Sequence, residues 1–157
     1  MTRNGTVANP QMPTLLVVED SNEDFEALQR LLGRSPLSIP IQRCVNGDQA
    51  LAFLYRTGAY ADRQRSSRPG LIMLDLNLPG TDGRELLHRI KQDKMLKTIP
   101  VVVFTTSNNP QDIEDCYQYG VNSYIVKPIN FSQLKHDIQA IVDYWFEVTT
   151  LPSCWED

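Results

Sequence analysis

The sequence predicts an open α/β domain in which a parallel sheet is covered by helices on both faces. Runs such as LLVV, LIML and VVVF are uniformly apolar, as strands buried on both faces must be. These runs alternate with helical patterns five times along the chain. Five βα units joined by right-handed crossovers are therefore expected.

The elements follow one another in a regular order. Short apolar or β-branched runs bounded by polar turns predict strands at 15–18, 39–45, 71–76, 101–105 and 123–126. Apolar side chains three to four residues apart predict a helix after each strand. The core positions of these helices are Phe25, Leu28, Leu31 and Leu32; Ala50, Leu51, Phe53 and Leu54; Leu86, Leu87 and Ile90; Ile113, Cys116 and Tyr117; and Leu134, Ile138, Ile141, Val142 and Trp145.

Composition limits the chain to one soluble globular domain. It has 157 residues, 41% of them hydrophobic, and a net charge of −4, which gives no bulk attraction to nucleic acid. No apolar run approaches the roughly 18 residues of a membrane span. Residues 1–13 lack a signal-peptide core, so we expect a disordered leader on a cytoplasmic protein, then the domain at 14–148 and a tail at 149–157.

The three cysteines favour neither a disulfide framework nor a zinc site. Cys44, Cys116 and Cys154 stand at unrelated spacings, and the chain has only two histidines. We expect Cys44 and Cys116 to be buried free thiols.

One connection is longer than the usual two to six residues or so between helix and strand. Residues 57–70, TGAYADRQRSSRPG, carry Arg63, Arg65 and Arg68 without an apolar period. A solvated insertion is expected, with a docking surface for an acidic partner as the alternative.

Charged and hydroxyl side chains follow the predicted strands where each strand ends. Glu19 and Asp20 follow the first strand, Asp75 ends the third, Thr105 the fourth, and Lys127 follows the fifth. In an open α/β sheet these ends meet at one edge, where ligands bind. The sequence therefore predicts a site made of three carboxylates, a hydroxyl and an ammonium.

The chemistry of this set favours Mg²⁺ and phosphoryl transfer. Neighbouring carboxylates repel one another unless a cation neutralises them, and Mg²⁺ prefers such oxygen ligands. We expect Asp20 and Asp75 to hold the metal, with Glu19 outside its direct ligands or hydrogen-bonded to it through water. Asp75 is then a candidate nucleophile that forms an acyl phosphate, while Lys127 and Thr105 bind phosphoryl oxygens.

Four motifs resemble those of a response-regulator receiver domain: LLVVEDSNED, LIMLDLNLPGTDG, PVVVFTTS and NSYIVKP, within residues 14–147. The resemblance implies a flavodoxin-like fold with strand order 2-1-3-4-5 and transfer of phosphate from a histidine kinase. It also implies a protein that catalyses only its own phosphorylation and slow dephosphorylation. The implied roles are Asp75 as phosphoacceptor, Glu19 and Asp20 as the acidic pocket, Asn77 as donor of a backbone carbonyl to Mg²⁺, Thr105 and Tyr124 as switch residues, Lys127 as the phosphate-pairing lysine, and a cis peptide before Pro128.

The end of the chain suggests partners. The arginine-bearing insertion and the DYWFEVTTLP ending resemble stand-alone regulators that partner cyanobacterial phytochromes, which are light-sensing histidine kinases. Phe146, Val148 and Leu151 add apolar surface beside the Trp145 stripe, which predicts a homodimer through the last helix and tail. The alternative is a tail folded back on its own domain. The expected output surface combines the fourth helix, the fifth strand and the fifth helix.

Three other functions share parts of this pattern. A dehalogenase-like phosphatase would need a second carboxylate two residues after Asp75, where Asn77 stands. A flavin-binding module would need phosphate-binding donors after the first strand, whereas that segment is acidic. A phosphate-independent interaction module would normally lack one of the charged residues.

Overall fold

The computed structural model describes residues 12–62 and 68–152. Five parallel strands form one sheet in the order β2-β1-β3-β4-β5, so the predicted fold class and strand order are confirmed. The elements are β1 (Thr14–Val18), α1 (Asn22–Leu32), β2 (Ile41–Cys44), α2 (Gly47–Tyr55), β3 (Pro69–Leu74), α3 (Gly83–Gln92), β4 (Val101–Thr105), α4 (Pro110–Tyr119), β5 (Ser123–Val126) and α5 (Phe131–Val142). Most of the predicted leader and tail, together with Arg63, Arg65 and Cys154, lie outside the described residues.

The sheet separates two cores because alternate strand residues point to opposite faces. Leu15 and Val17 of β1 pack with α1 and α5, whereas Leu16 and Val18 pack with α2, α3 and α4. Cys44 and Cys116 are buried free thiols in the second of these cores, as predicted.

Two strand boundaries differ from the prediction. β2 covers only Ile41–Cys44 instead of 39–45, because it is an edge strand that pairs with β1 alone. β3 begins at Pro69, opposite Thr14, and ends at Leu74 instead of 76. Leu76 is fully buried but lies in the loop after the strand. Its apolar side chain extended the predicted strand because buried loop residues and strand residues look alike in the sequence.

The core prediction for the fourth helix was wrong at Tyr117, which is 51% exposed. Cys116 is the buried residue of α4, and the next residue lies about 100° around the helix from it. In the described part of the 57–70 segment, the side chain of Tyr60 contacts the domain. Tyr60 lies in a 3₁₀ turn at Gly58–Tyr60 and packs edge-on against Phe53, with ring centroids 5.3 Å apart.

Each of the five helices begins with a side-chain cap, from Ser21, Asn46, Asp82, Asn109 and Asn130. These caps accept backbone N–H groups that a helix start leaves without a partner. Asp82 caps α3, which begins at Gly83.

The chain after α5 continues in a π-helical turn at Asp143–Val148. Trp145 and Phe146 pack partly against the core below α5, and Leu151 is half-buried. Val148 is 73% exposed. Part of the apolar surface expected for a partner is therefore covered by the domain itself. None of the described helices has the length and apolarity needed to cross a membrane.

Gly83 brings the start of α3 against the end of β3, and we predict that Gly83→Ala is destabilising. A Cβ there would lie 2.3 Å from the Asp75 carbonyl oxygen and 2.5 Å from Leu76 Cα, so the backbone must shift. Overpacking of this kind costs about 1–3 kcal/mol. Urea unfolding should show the loss. Gly33→Ala is the control, because its nearest neighbours are 3.4 Å away and its φ is −66°. Equal stability of the two variants would contradict the steric argument.

Candidate functional site

The carboxyl ends of β1, β3 and β5 are each fixed by a backbone hydrogen bond to the adjacent strand. The N–H groups of Glu19 and Asp75 donate to the carbonyls of Cys44 and Val18 at 3.0 and 3.1 Å, and that of Lys127 donates to Thr105 at 2.7 Å. The sheet ladder therefore continues one residue past the strands and holds the backbone under Glu19, Asp75 and Lys127.

Arg43 of β2 adds a further constraint that the sequence did not reveal. Its guanidinium donates two hydrogen bonds to the Glu19 carbonyl, at 3.2 and 3.1 Å, and lies over the Phe25 ring at 4.6 Å from the centroid. The start of the Glu19-Asp20 pair is thus tied to both β2 and α1.

The Lys127 ammonium lies among three carboxylates. Its Nζ is 2.5 Å from Glu19 Oε1, 2.8 Å from Asp24 Oδ2 and 3.0 Å from Asp75 Oδ2. The Lys127 side chain is only 9% exposed. A lysine has three N–H donors, so each can be matched with one carboxylate.

Asp75 is buried and nevertheless ionised. Burial by itself would raise the pKa of its carboxyl, but the charge and hydrogen bond of Lys127 lower it, as do hydrogen bonds from the Asn77 amide and the Thr105 side chain, and the net pKa is lowered. The Asn77 N–H lies 3.1 Å from Asp75 Oδ1. A buried carboxylate that stays charged near neutral pH is suited to act as a nucleophile.

Glu19 responds differently to the same surroundings. Burial raises the pKa of its carboxyl to about 7, even though the hydrogen bond and charge of Lys127 lower it. Glu19 borders a cavity of about 250 Å³ whose walls include the apolar side chains of Leu28, Met73 and Phe104. Those walls provide little solvation for a charge, which explains the direction of the shift.

The acidic residues are arranged so that they can share a divalent cation. Oxygens of Glu19, Asp20 and Asp75 lie within 4.8 Å of one another, with Asp20 on the solvent side. Carboxylate oxygens fit a hard dication, and a cation would favour the ionised form that burial disfavours at Glu19. The residues present therefore fit the metal site that the sequence predicts.

Thr105 and Tyr124 meet at the loop after β4. Thr105 is fully buried, and its hydroxyl oxygen accepts the Ser107 N–H at 3.4 Å. The Tyr124 hydroxyl donates to the Ser107 carbonyl at 2.8 Å. Ser107 thus connects Thr105 and Tyr124, the two residues for which the family resemblance implies a switch role.

An ion-pair network that the sequence did not reveal holds the same loop from the other side. Arg84 of α3 donates two 2.7 Å bonds to Asp112 of α4, which also accepts the Ser107 hydroxyl at 2.6 Å. These bonds lower the pKa of Asp112 to about 2. Arg84 and Asp112 are 28 residues apart, so local patterns cannot reveal their contact.

Of the seven predicted site residues, Glu19, Asp20, Asp75 and Lys127 lie together at this edge of the sheet. Asn77 contacts Asp75 through its backbone N–H, and the metal contact of its carbonyl stays a prediction. Thr105 ends β4, whereas Tyr124 lies within β5 and contacts the loop after β4 through its hydroxyl.

The contact of Asp24 with Lys127 was missed, although Asp24 stands in the first turn of α1 only five residues after Glu19. The implied cis peptide is contradicted, because the bond between Lys127 and Pro128 is trans. The two isomers of such a bond differ by only about 0.5–1 kcal/mol in simple peptides.

Comparisons with known proteins agree with this geometry. Residues 15–139 match the response regulator receiver domain family. The response regulator Rcp1 of Synechocystis sp. is 44% identical over 139 residues, which cover 88% of this chain and 92% of Rcp1.

Two solved structures extend the similarity to the fold. The Mn²⁺-bound form of Rcp1 has a TM-score of 0.84 and the phosphorylated cyanobacterial phytochrome response regulator RcpA one of 0.85. Each is 43% identical to this chain, and each comparison covers 90% of this chain and 99% of the other. The chain therefore belongs to the response-regulator receiver family and resembles the regulators of cyanobacterial phytochromes.

Proposed function

We propose that the protein is a single-domain response regulator that accepts a phosphoryl group on Asp75 from the phosphohistidine of a histidine kinase. The observation that carries this proposal is the ionised, buried carboxylate of Asp75, only 6% exposed and 3.0 Å from the Lys127 ammonium. The family is a signalling family and not a classical enzyme family. The domain is proposed to occupy residues 14–148 and to act in the cytoplasm.

In the proposed reaction an Asp75 oxygen attacks the phosphorus atom. The P–O bond of an acyl phosphate forms, the P–N bond to the histidine breaks, and its electron pair returns to the imidazole nitrogen. Lys127 and the Thr105 hydroxyl then bind phosphoryl oxygens, because protein catalysis of this transfer consists mainly of positioning and neutralising charge.

Glu19, Asp20 and Asp75 would hold Mg²⁺, with the Asn77 backbone carbonyl as a further ligand. When bound, the ion supplies positive charge that neutralises the developing charge on the phosphoryl oxygens. Oxygens of the three carboxylates lie within 4.8 Å of one another, which supports this assignment, as does the Mn²⁺-bound form of the relative Rcp1.

The switch proposal links Thr105 to Tyr124 through Ser107. If the Thr105 hydroxyl turns toward a phosphoryl oxygen, the loop carrying Ser107 moves with it. Tyr124 is already bonded to the Ser107 carbonyl, so its ring would follow this loop. The surface of α4, β5 and α5 would change as a result.

The kinase partner is proposed to be phytochrome-like, because the relative RcpA is a cyanobacterial phytochrome response regulator. Ile129 is fully exposed and Phe131 is 53% exposed, immediately after Lys127 and Pro128. Exposed apolar side chains beside a reactive site are suited to protein contact. No role is assigned to the 57–70 insertion.

We also propose a homodimer through α5 and the tail. β5 is an edge strand, and a groove beside it is lined by Ile125, Ile141 and Tyr144. Tyr144 and Val148 are 55% and 73% exposed, which supports contact with a second copy despite the partial covering of Phe146.

The alternatives have weaker support. A phosphatase would need a carboxylate where Asn77 stands, and the exposed Asn77 side chain supplies none. A phosphate-independent module would not need an ionised Asp75 held by Lys127.

Labelling tests the phosphoacceptor. Acetyl phosphate with Mg²⁺ should add one phosphoryl group to the wild-type chain, detected by intact mass as an acid-stable, base-labile adduct. Asp75→Asn should abolish the adduct, whereas Asp115→Asn, which removes a carboxylate from the surface of α4, should keep it. An adduct that persists in Asp75→Asn would remove Asp75 from its role.

Mg²⁺ affinity should rise with pH up to about 7 and then level off. In the folded chain the pKa of the Glu19 carboxyl is raised from 4.5 to about 7. Below pH 7 this carboxyl is therefore mostly protonated, and Mg²⁺ must displace the proton in order to bind. The rise should approach about tenfold per pH unit, measured by titration calorimetry. In the metal-free chain the same shift lowers stability as pH rises from 4.5 toward 7. Glu19→Gln should flatten the affinity profile, and an unchanged slope in that variant would assign the proton to another group.

The dimer is tested by light scattering with and without phosphorylation. Val148→Asp should convert a dimer to a monomer, since it places a charge in the proposed interface. Met95→Asp, at a residue 61% exposed in the α3–β4 connection, should not. A wild-type monomer under both conditions would refute the homodimer.

A further inference from the structure

Asp24 differs from the other two carboxylates that hold Lys127. Glu19 and Asp75 belong to the group whose oxygens lie within 4.8 Å of one another and can share a cation, together with Asp20. Asp24 is not a member of that group, yet its Oδ2 lies 2.8 Å from Lys127 Nζ. A metal and Lys127 therefore compete for Glu19 and Asp75, but not for Asp24.

The competition matters because the Lys127 side chain is 91% removed from solvent, with 9% exposed. An ammonium in such a place is strongly disfavoured unless it is paired. If Glu19 and Asp75 bind a divalent cation, the Lys127 ammonium loses two of its three carboxylate partners. The positive charge of the bound cation also repels it. Lys127 can then stay at the site only if it keeps a carboxylate partner other than Glu19, Asp20 and Asp75.

Asp24 is held where it can serve as that partner. Its N–H donates to the Ser21 hydroxyl at 3.2 Å, which caps α1 and fixes the first turn of the helix. Burial would lower the pKa of Lys127, and the hydrogen bond to Asp24 is the largest of the effects that raise it instead. The Asp24 side chain is 48% exposed, so water can solvate its carboxylate when no metal is bound.

We propose that Asp24 is a positioning residue that retains the Lys127 ammonium at the site when Glu19 and Asp75 turn to the metal. This inference rests on the proposed metal binding. Because Asp24 stays paired with Lys127, Glu19 and Asp75 can bind the cation. The Lys127 ammonium meanwhile stays within reach of the phosphoryl group. Without Asp24, Lys127 must either keep Glu19 and Asp75 from the metal or leave the site.

The test compares two substitutions that each remove one negative charge from the same helical turn. Asp24→Asn and Glu23→Gln each remove one carboxylate from the first turn of α1, where both residues are exposed, but only Asp24 contacts Lys127 Nζ. Mg²⁺ binding is measured by calorimetry at one alkaline pH, where Glu19 is ionised. Asp24→Asn should weaken binding by about two- to fivefold, the effect of a half-exposed ion pair, and Glu23→Gln by clearly less.

A second pair of measurements shows whether Asp24 acts through Lys127. In a Lys127→Met background the excess effect of Asp24→Asn over Glu23→Gln should vanish. Labelling of Lys127 by an amine-reactive ester, followed by mass spectrometry, should stay low on Mg²⁺ addition in the wild type and rise severalfold in Asp24→Asn.

The outcomes separate this inference from the proposed function. A wild-type chain that binds no Mg²⁺ would refute the proposed metal site. A wild-type chain that binds Mg²⁺ while Asp24→Asn and Glu23→Gln behave alike in affinity and in Lys127 labelling would refute the role of Asp24 alone.

Discussion

The ion pairing of Lys127 is the interaction on which the rest of the site depends. Carboxylates from β1, α1 and β3 meet one ammonium from the end of β5, within 3.0 Å in each case. Without that ammonium, the acidic groups would repel one another in an environment that already disfavours charge at Glu19. The same ammonium keeps Asp75 ionised. One side chain thus connects the first and last βα units across the sheet.

The site combines a part held by the sheet with a part held by side chains. Glu19, Asp75 and Lys127 are held by hydrogen bonds that continue the sheet ladder, so their spacing is a property of the sheet. The loop after β4 is held by side chains, through the bonds of Ser107 with Tyr124 and Asp112. Side-chain bonds to a loop can exchange partners without disturbing the core. The groups that set the charge of the site are therefore held separately from the loop that the proposed switch would use.

The sequence was most informative where local chemistry decides the structure. Uniformly apolar runs indicated the strands, and strand-end polar residues indicated the site, because parallel strands bring their ends to one edge. The limits of a strand depend on its pairing partners. Because β2 is an edge strand that pairs with β1 alone, it is shorter than the apolar run predicted. Tyr117 was misplaced because α4 buries only Cys116. The Arg84–Asp112 pair joins two helices, and a tertiary contact of that kind leaves no spacing in the sequence. Asp24 could have been found from its place in the first turn of α1, five residues after Glu19.

β5 has only four residues and is hydrogen-bonded on one side, to β4. Its other edge faces the surroundings, and yet it carries Tyr124 and leads directly into Lys127. Tyr124 therefore lies on an edge strand that has a single neighbour in the sheet, and Lys127 directly follows that strand. Displacing this strand disturbs a single ladder, whereas displacing β1 or β3 would break two. The proposed phosphorylation of Asp75, which follows the central strand β3, would thus be read out at an edge strand that a single ladder holds in place.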